Sequence, residues 1–588
     1  MSARDLITEH LDLWTGAVTT KSTAGRGRNG KIELTGIQKL RELILELAVR
    51  GKLVEQDPND APADTLLERI AAEKASLVKD GKFKSTKTPP TVSVQEEPFD
   101  LPPGWSWTRL GIIAQINPRN DADDTTPASF VSMPMISTSY DGCHEQEQRP
   151  WGEIKKGYTH IAEGDIAIAK ITPCFENSKA AVFTNLSNGI GAGTTELHVA
   201  RPVGDCLNPK FALYFLKSPR FIGEGTKKMT GSAGQKRVPK DYFSQEPIPL
   251  PPLQEQHRIV EKVGELMALC DRLEQRVGDQ LEAHEVLVDT LLDALTRATD
   301  AGEVAAHWAR IAEHFDTLFT TESSIDKLKQ VILQLAVMGR LVGQDPNDEP
   351  ASVLLERIAK EKTRLVKDGK IKKPKRLPDI EVEERSYQTN KNWAWARFQD
   401  IANEISTGPF GSMIHKHDYV DNGVPLINPS HMINGEIQED RSVSVPGPKA
   451  EELASYKLSP GDIVMARRGE VGRCSIVTDR EAGWLCGTGS FVLRFHDALS
   501  RRFILMIFTT DSVRSYLTGN SVGTTMTNLN HGILNKMPVA LPPANEQHRI
   551  VEKVDELTAF CDQLKARLGE ASETRSRLAE TAVEQAVN

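Results

Sequence analysis

Leu40–Lys84 reads LRELILELAVRGKLVEQDPNDAPADTLLERIAAEKASLVKDGKFK, and Leu328–Lys372 reads LKQVILQLAVMGRLVGQDPNDEPASVLLERIAKEKTRLVKDGKIK; aligned without a gap at an offset of 288, they are identical at 31 of 45 positions. Self-similarity over such a length marks one folded unit written twice. Ile37, Leu40, Ile44 and Leu47 form a stripe at steps of three and four, closed by Gly51, and Ile325, Leu328, Ile332, Leu335 and Gly339 repeat it. The spacing predicts an amphipathic helix ended by a glycine. Each copy continues through Q-D-P-N-D, whose Pro and Asx residues suit a turn, into a second amphipathic helix through LLERIA.

A second pair of matching blocks, Leu250–Leu273 and Leu541–Leu564, stands at an offset of 291 and opens L-P-P-x-x-E-Q-H-R-I-V. Each predicts a long helix. Its seam runs Ile259, Val263, Leu266, Cys270, Leu273, Val277, Gln280, His284, Leu287, Leu291 in the first copy. The second runs Ile550, Val554, Leu557, Cys561, Leu564, Leu568, Ala571, Arg575, Leu578. Alternating steps of four and three predict coiled-coil packing, with the other copy as the simplest partner. Leu266, Leu273, Leu557 and Leu564 are the interface candidates on this seam. Glu255, His257 and Arg258, with Glu546, His548 and Arg549, are read as a helix-start and interface network. Acid-base work by the two histidines is the competing reading.

Between the repeats lie two segments that scarcely resemble one another, rich in β-branched, glycine and turn residues. Both open on Trp-x-Trp (Trp105, Trp107; Trp393, Trp395) and share faint marks, among them G-D-I at 164 and 461. Runs such as Asp165–Ile171 and Asp462–Ala466 predict strands. The expected fold class is α+β: two mixed α/β domains separated by duplicated long helices in an antiparallel coiled-coil-like spacer, with an internal pseudo-two-fold repeat. The predicted division is 1–32, an N-terminal segment flexible in part; 33–98, helical repeat; 99–252, first variable domain; 253–298, long helix; 299–389, second helical repeat; 390–542, second variable domain; 543–588, C-terminal long helix.

The 588 residues exceed what one core accommodates. No run of about 18 apolar residues and no signal-like N-terminus occur, so a cytoplasmic protein is expected. Seven cysteines without a C-x-x-C pair argue against a zinc ribbon or disulfide framework. The net charge of −9 sits on the frame and termini, because Phe99–Leu250 holds 16 basic and 16 acidic residues and Asn390–Leu541 holds 15 of each. Lys217–Lys240 nevertheless forms a basic strip in sequence: Lys217, Arg220, Lys227, Lys228, Lys236, Arg237 and Lys240 against Glu224 alone. Arg467, Arg468 and Arg473 beside glycines, and the polar Thr524–His531, are the second domain's counterparts. Such residues contact phosphates and base edges in nucleic-acid readers, and they also occur as ordinary solvated loops.

Catalytic signatures fail one by one. Gly25–Lys31 (GRGRNGK) fits a phosphate-loop skeleton but has Ile32 where Ser or Thr would bind magnesium, and no strand is predicted before it. Gly189–Gly193 (GIGAG) lacks the context of a dinucleotide site and reads as a strand-edge turn. The Pro-Pro pairs lack the flanking Asn or Asp and aromatic residue of an amino-methyltransferase. Cys270 and Cys561 read as small core residues. No catalytic residue and no metal site is expected.

Together, the duplicated L-P-P-x-x-E-Q-H-R-I-V-x-K-V, the duplicated L-A-V-x-G-x-L-V-x-Q-D-P-N-D, Thr407–Ser412 (TGPFGS) and Ile427–Ile433 (INPSHMI) resemble the specificity subunits of type I restriction-modification systems. The resemblance spans about Leu40–Leu578 and is to the longer subfamily with an N-terminal helical repeat. It implies that each variable segment is a target-recognition domain reading half of a split, asymmetric sequence in double-stranded DNA. It also implies that the helices set the spacer and dock two methyltransferase subunits, to which two restriction-translocase subunits add. S-adenosylmethionine, ATP and magnesium would belong to those partners, none being bound by this chain. The DNA-contact candidates are Lys170, Lys227, Lys228, Lys236 and Arg237, then Ser412, Lys416, Arg467, Arg468, Thr525, Asn528 and Asn530. A DNA-binding regulator or adaptor acting without a methyltransferase is the alternative.

Overall fold

Helix Thr35–Val49 buries Ile37, Leu40, Ile44 and Leu47, each 3% exposed or less, and ends at Gly51 with φ +67°. The Lys52 N–H donates to Leu47 O and the Gly51 N–H to Ala48 O, the pairing of a left-handed glycine C-cap. A Cβ at Gly51 would fall 2.4 Å from Pro102, so the residue is required for close approach as well as for its φ. Helix Glu322–Val337 ends the same way, Arg340 N–H donating to Leu335 O and Gly339 taking φ +71°.

The computed structural model describes residues 7, 10–21, 31–79, 89–232, 234–298, 301–409, 411–433, 435–469, 472–519 and 529–587. Most of the Gly25–Lys31 segment, together with Thr525 and Asn528, lies outside these residues. The chain divides into two units, Met1–Leu281 with Glu570–Asn588, and Glu282–Gly569.

In the first unit, helices Thr35–Val49 and Ala63–Lys79 precede a domain of two four-stranded sheets. One is ordered Glu147–Pro150, Pro127–Val131, Ile190–Gly193, Thr159–Ala162, with its two central strands parallel. The other, fully antiparallel, is ordered Ala114–Ile116, Leu197–Pro202, Ile166–Ala169, Ala180–Val182. Strand Ser106–Arg109, where the domain begins, pairs antiparallel with Pro247–Leu250, where it ends. Entry and exit therefore lie side by side, and the exit leads directly into helix Leu253–Arg297. GIGAG is thus an inner strand, not a turn at a strand edge. Gly191 is what permits it, since a Cβ there would sit 2.3 Å from Ser129 O.

The second unit repeats the plan. Ala402–Thr407, Ser490–Phe495, Ile463–Ala466 and Cys474–Ile476 form the antiparallel sheet. Val424–Ile427 runs parallel to Leu485–Cys486, and Ala394–Arg397 closes on Pro538–Leu541 ahead of helix Ala544–Val587. Even a half-buried lysine recurs: Lys74 Nζ caps the carbonyls of Gly111 and Ile112, and Lys362 Nζ, 288 residues on, caps those of Gln399 and Ala402. Burial pushes the Lys74 ammonium down to about 8.

The long helices depart from the heptad reading in their distal halves. On Leu253–Arg297 the buried stripe is Ile259, Val263, Met267, Cys270, Val277, Val288, Leu292, Leu295, while the expected Leu287 is 50% exposed. On Ala544–Val587, Ala579 is buried and Leu578 is 54% exposed. A straight helix of 3.6 residues per turn drifts about 20° per heptad against a 3.5-residue repeat. After about four heptads the lag approaches one residue, which is the observed slip in both copies. Val288, Leu292 and Leu295 pack in one core with Ile311, Leu318 and Ile325 of their unit. Ala579 packs in the core holding Trp14, Ala17 and Ile37.

Candidate nucleic-acid interface

The helix-start motif is a structural network. Glu255, 1% exposed, accepts from the Trp105 indole N–H at 2.9 Å and from Gln56 Nε2 at 3.1 Å. Gln256 spans the turn, receiving the Asn208 N–H and donating to Pro251 O, and Arg258 pairs with Asp60 at 2.6 Å. In the second unit Glu546 takes Trp393 and Gln344, Gln547 takes Ser500 N–H and Pro542 O, and Arg549 takes Asp348. The Glu and Arg of E-Q-H-R thus tie the long helix to the residue that leads into the first domain strand and to the Q-D-P-N-D turn. Burial raises the pKa of both Glu255 and Glu546. His257 and His548 are exposed, with Asn208 Nδ2 3.1 Å from His257 Nδ1. Leu266 and Leu273 are partly buried against the first unit's core, and Leu557 and Leu564 against the second's.

Each variable domain is organised around a buried aspartate that follows the shared G-D-I glycine. Asp165 is 0% exposed, accepts the Ala162 N–H, and holds Arg201 through two bonds of 2.8 Å. Asp462 accepts the Ser459 N–H and holds Arg494, which also reaches Glu404 at 2.7 Å. Burial outweighs the ion pair and raises both aspartates above the usual carboxylate range.

The strand after each aspartate ends at a basic residue held by two main-chain bonds. The Lys170 N–H donates to Glu196 O at 2.9 Å, and its carbonyl accepts the Val238 N–H at 2.8 Å. The Arg467 N–H donates to Gly489 O and its carbonyl accepts the Leu529 N–H, both at 2.9 Å. The Arg467 guanidinium lies 5.2 Å from the centroid of buried Phe491, whose other close ring is His531 at 5.1 Å, edge to face. Its buried Nε has no hydrogen-bond partner among the described residues. Burial, then Arg468, lowers the Arg467 pKa.

The structure splits the Lys217–Lys240 strip and neutralises much of it. Lys217 is buried, its Nζ donating to Ser178 O at 2.7 Å, with burial pushing it down to about 8. Arg220 and Lys228 share Glu246, Lys227 pairs with Glu224, and Arg237 makes a two-bond pair with Glu196. A charge count along the chain missed Glu246 and Glu196 because folding, not sequence proximity, brings them in. Lys236 and Arg237 lie on the segment joined to the Lys170 strand end through Thr172 and Val238, so Lys170, Lys236 and Arg237 come together; Lys227 and Lys228 stand at the end of helix Pro219–Lys227, where their own acids hold them.

In the second domain Ser412 and Arg468 are exposed, and the Lys416 side chain lies outside what is described. Asn530 caps helix His531–Lys536, accepting the Ile533 N–H. The reading from sequence missed Asp165, Arg201, Glu196, His198 and Phe491. Register alignment of the two domains on G-D-I would have exposed Arg201 and Arg494, each at the end of the strand beside it. Among the described residues, no group of three or more His, Cys, Asp or Glu side chains is placed to hold a metal ion, and no helix is long and apolar enough to cross a membrane.

Residues 102–283 and 390–571 match the family model described as the type I restriction modification DNA specificity domain. The specificity subunits of the Escherichia coli type I restriction enzymes EcoAI and EcoEI are 49% and 47% identical to the chain, each over 100% of both sequences. The crystal structure of an HsdS subunit from Thermoanaerobacter tengcongensis aligns with a TM-score of 0.43 at 20% identity, covering 84% of this chain and 99% of that one. Two matched domains and full-length similarity at these identities show that the chain belongs to the specificity subunits of type I restriction-modification systems.

Proposed function

We propose that the two variable domains each read one half of a bipartite, asymmetric site in double-stranded DNA, and that the chain performs no chemistry itself. The observation that carries this is the pairing of one shared scaffold, down to the Asp165–Arg201 and Asp462–Arg494 pairs, with unlike loops around it. Two readers of one design but different surfaces suit two different half-sites. The long helices act as the ruler between them: Ile259 to Leu291 corresponds to roughly 50 Å at about 1.5 Å per residue, against about 34–36 Å for one turn of DNA. Two methyltransferase subunits dock on the helical frame and two restriction-translocase subunits add to them. S-adenosylmethionine, ATP and magnesium work on those partners.

With no net charge on either reader, phosphate binding comes mainly from the partners. The isolated chain therefore binds DNA weakly. Mapping methylated adenines in DNA modified by the complex tests the reading. A split motif, of which one half changes when residues 102–249 are exchanged for a relative's, supports it. Methylation by the pure chain with S-adenosylmethionine, or an uninterrupted motif, overturns it.

A further inference from the structure

Lys170 and Arg467 occupy one structural position. Each follows the inner strand that starts at G-D-I, each has its N–H bound to the neighbouring connection (Glu196 O; Gly489 O), and each has its carbonyl bound by the residue leading into the last short helix (Val238; Leu529). The surroundings have diverged: Glu196 corresponds to Gly489, buried His198 to buried Phe491, and Lys240, at the start of that helix, to His531. The cation alone is kept in kind. Neither side chain forms an ion pair among the described residues, whereas Lys227, Lys228 and Arg237 all do.

A contact built identically into two domains that read unlike sequences cannot carry what distinguishes those sequences. The group that DNA offers identically at every step is the backbone phosphate, and phosphate contacts fix register and orientation without carrying sequence. We propose that Lys170 and Arg467 are equivalent phosphate-anchoring residues, each seating its domain on the duplex so that the divergent loops meet the bases. Main-chain bonds on both sides fix the root of each side chain. In Arg467 the ring of Phe491 backs the guanidinium and restricts its swing. This assignment rests on the DNA-reading role proposed above.

The test uses the full chain assembled with its methyltransferase. Binding to DNA with and without the modified site is titrated at 50 to 200 mM salt, and methylated positions are mapped, for Lys170→Met, Arg467→Met and the double variant. The expected result is a several-fold loss of affinity on both DNAs, a log–log salt slope shallower by about one per substitution, and an unchanged motif. Arg467→Lys and Lys170→Arg restore the slope. Lys170, half-buried and with no ring against it among the described residues, keeps the test independent of packing on Phe491. A relaxed or altered half-site in either variant would make the residue a base reader and overturn the proposal, as would an unchanged slope in Lys170→Met. A wild-type complex that modifies no split motif would instead refute the DNA-reading role itself.

Discussion

The Trp105 indole N–H donates to Glu255 Oε2 at 2.9 Å across 150 residues of sequence, joining the residue just before the first strand of a variable domain to the helix that follows its last. Trp393 and Glu546 make the same bond at 3.0 Å. Each carboxylate also holds a glutamine from the Q-D-P-N-D turn, so one buried acid fastens three segments.

Glu255→Ala leaves that indole N–H without its acceptor, while Gln56 Nε2 keeps its bond to Gly51 O, and a buried donor left unsatisfied costs about 1–3 kcal/mol. Chemical denaturation of the variant should show a loss of this size. Glu546→Ala should match it in the second unit. A change within error in both would remove the network from the stability of the frame.

Acid should loosen the domain entrances. The Ser93 N–H, then Arg109, holds Glu96 at about 2, and Arg397, then the Glu381 N–H, holds Glu384 at about 2, against an ordinary 4.5. Carboxyls lowered by folding stabilise above the unfolded value and lose that contribution as pH falls through the folded one. The melting-temperature gap between wild type and the Glu96→Gln, Glu384→Gln double variant should therefore be full above about pH 4.5 and close toward about pH 2. A gap independent of pH would contradict this.

Lys217 is a case in which folding disfavours the charged form. Its ammonium, buried and held at about 8, binds its proton less tightly folded than unfolded, where the ordinary value is 10.5. Stability of wild type relative to Lys217→Met should rise from pH 8 to about 10.5 as that burial cost is relieved. Denaturation midpoints across this range measure it, and a falling difference would be the contrary result.

Leu287 and Leu292 separate the heptad from the observed stripe. Leu292, 3% exposed, should cost about 2–5 kcal/mol as Leu292→Ala. Leu287→Ala, at a half-exposed site, should stay within about 0.5 kcal/mol. Equal losses would restore the 3.5-residue seam.

Glu196 occupies the Arg237 guanidinium, which under the proposed DNA-reading role would otherwise face phosphate. Glu196→Gln removes the charge from a two-bond pair and should tighten binding of the assembled complex to DNA of any sequence, steepening its salt slope by about one. Binding that weakens would mean that Glu196 itself touches the duplex.

The duplication, the helical stripes and the strands after G-D-I were legible because each rests on spacing within a few residues or on identity between copies. Leu40 and Leu328 announce their helices locally. The partners of Glu255, the neutralisation of Lys228 by Glu246 and the inner place of Ile190–Gly193 were not, because each depends on residues brought together from distant segments. The slip from Leu287 to Val288 had another cause: a small error in period that stays invisible over one turn and grows to a whole residue over eight.

Because Ala579, Ala582, Val583 and Ala586 pack in the core that holds Trp14 and Ile37, order of synthesis and order of folding part company in this chain. The segment around Trp14 leaves the ribosome more than 560 residues ahead of Ala579, whose helix completes the core that holds it. The second unit, Glu282–Gly569, has all its residues in one stretch. It is free to finish first, leaving the earlier-made half open to chaperones and proteases until the closing helix arrives.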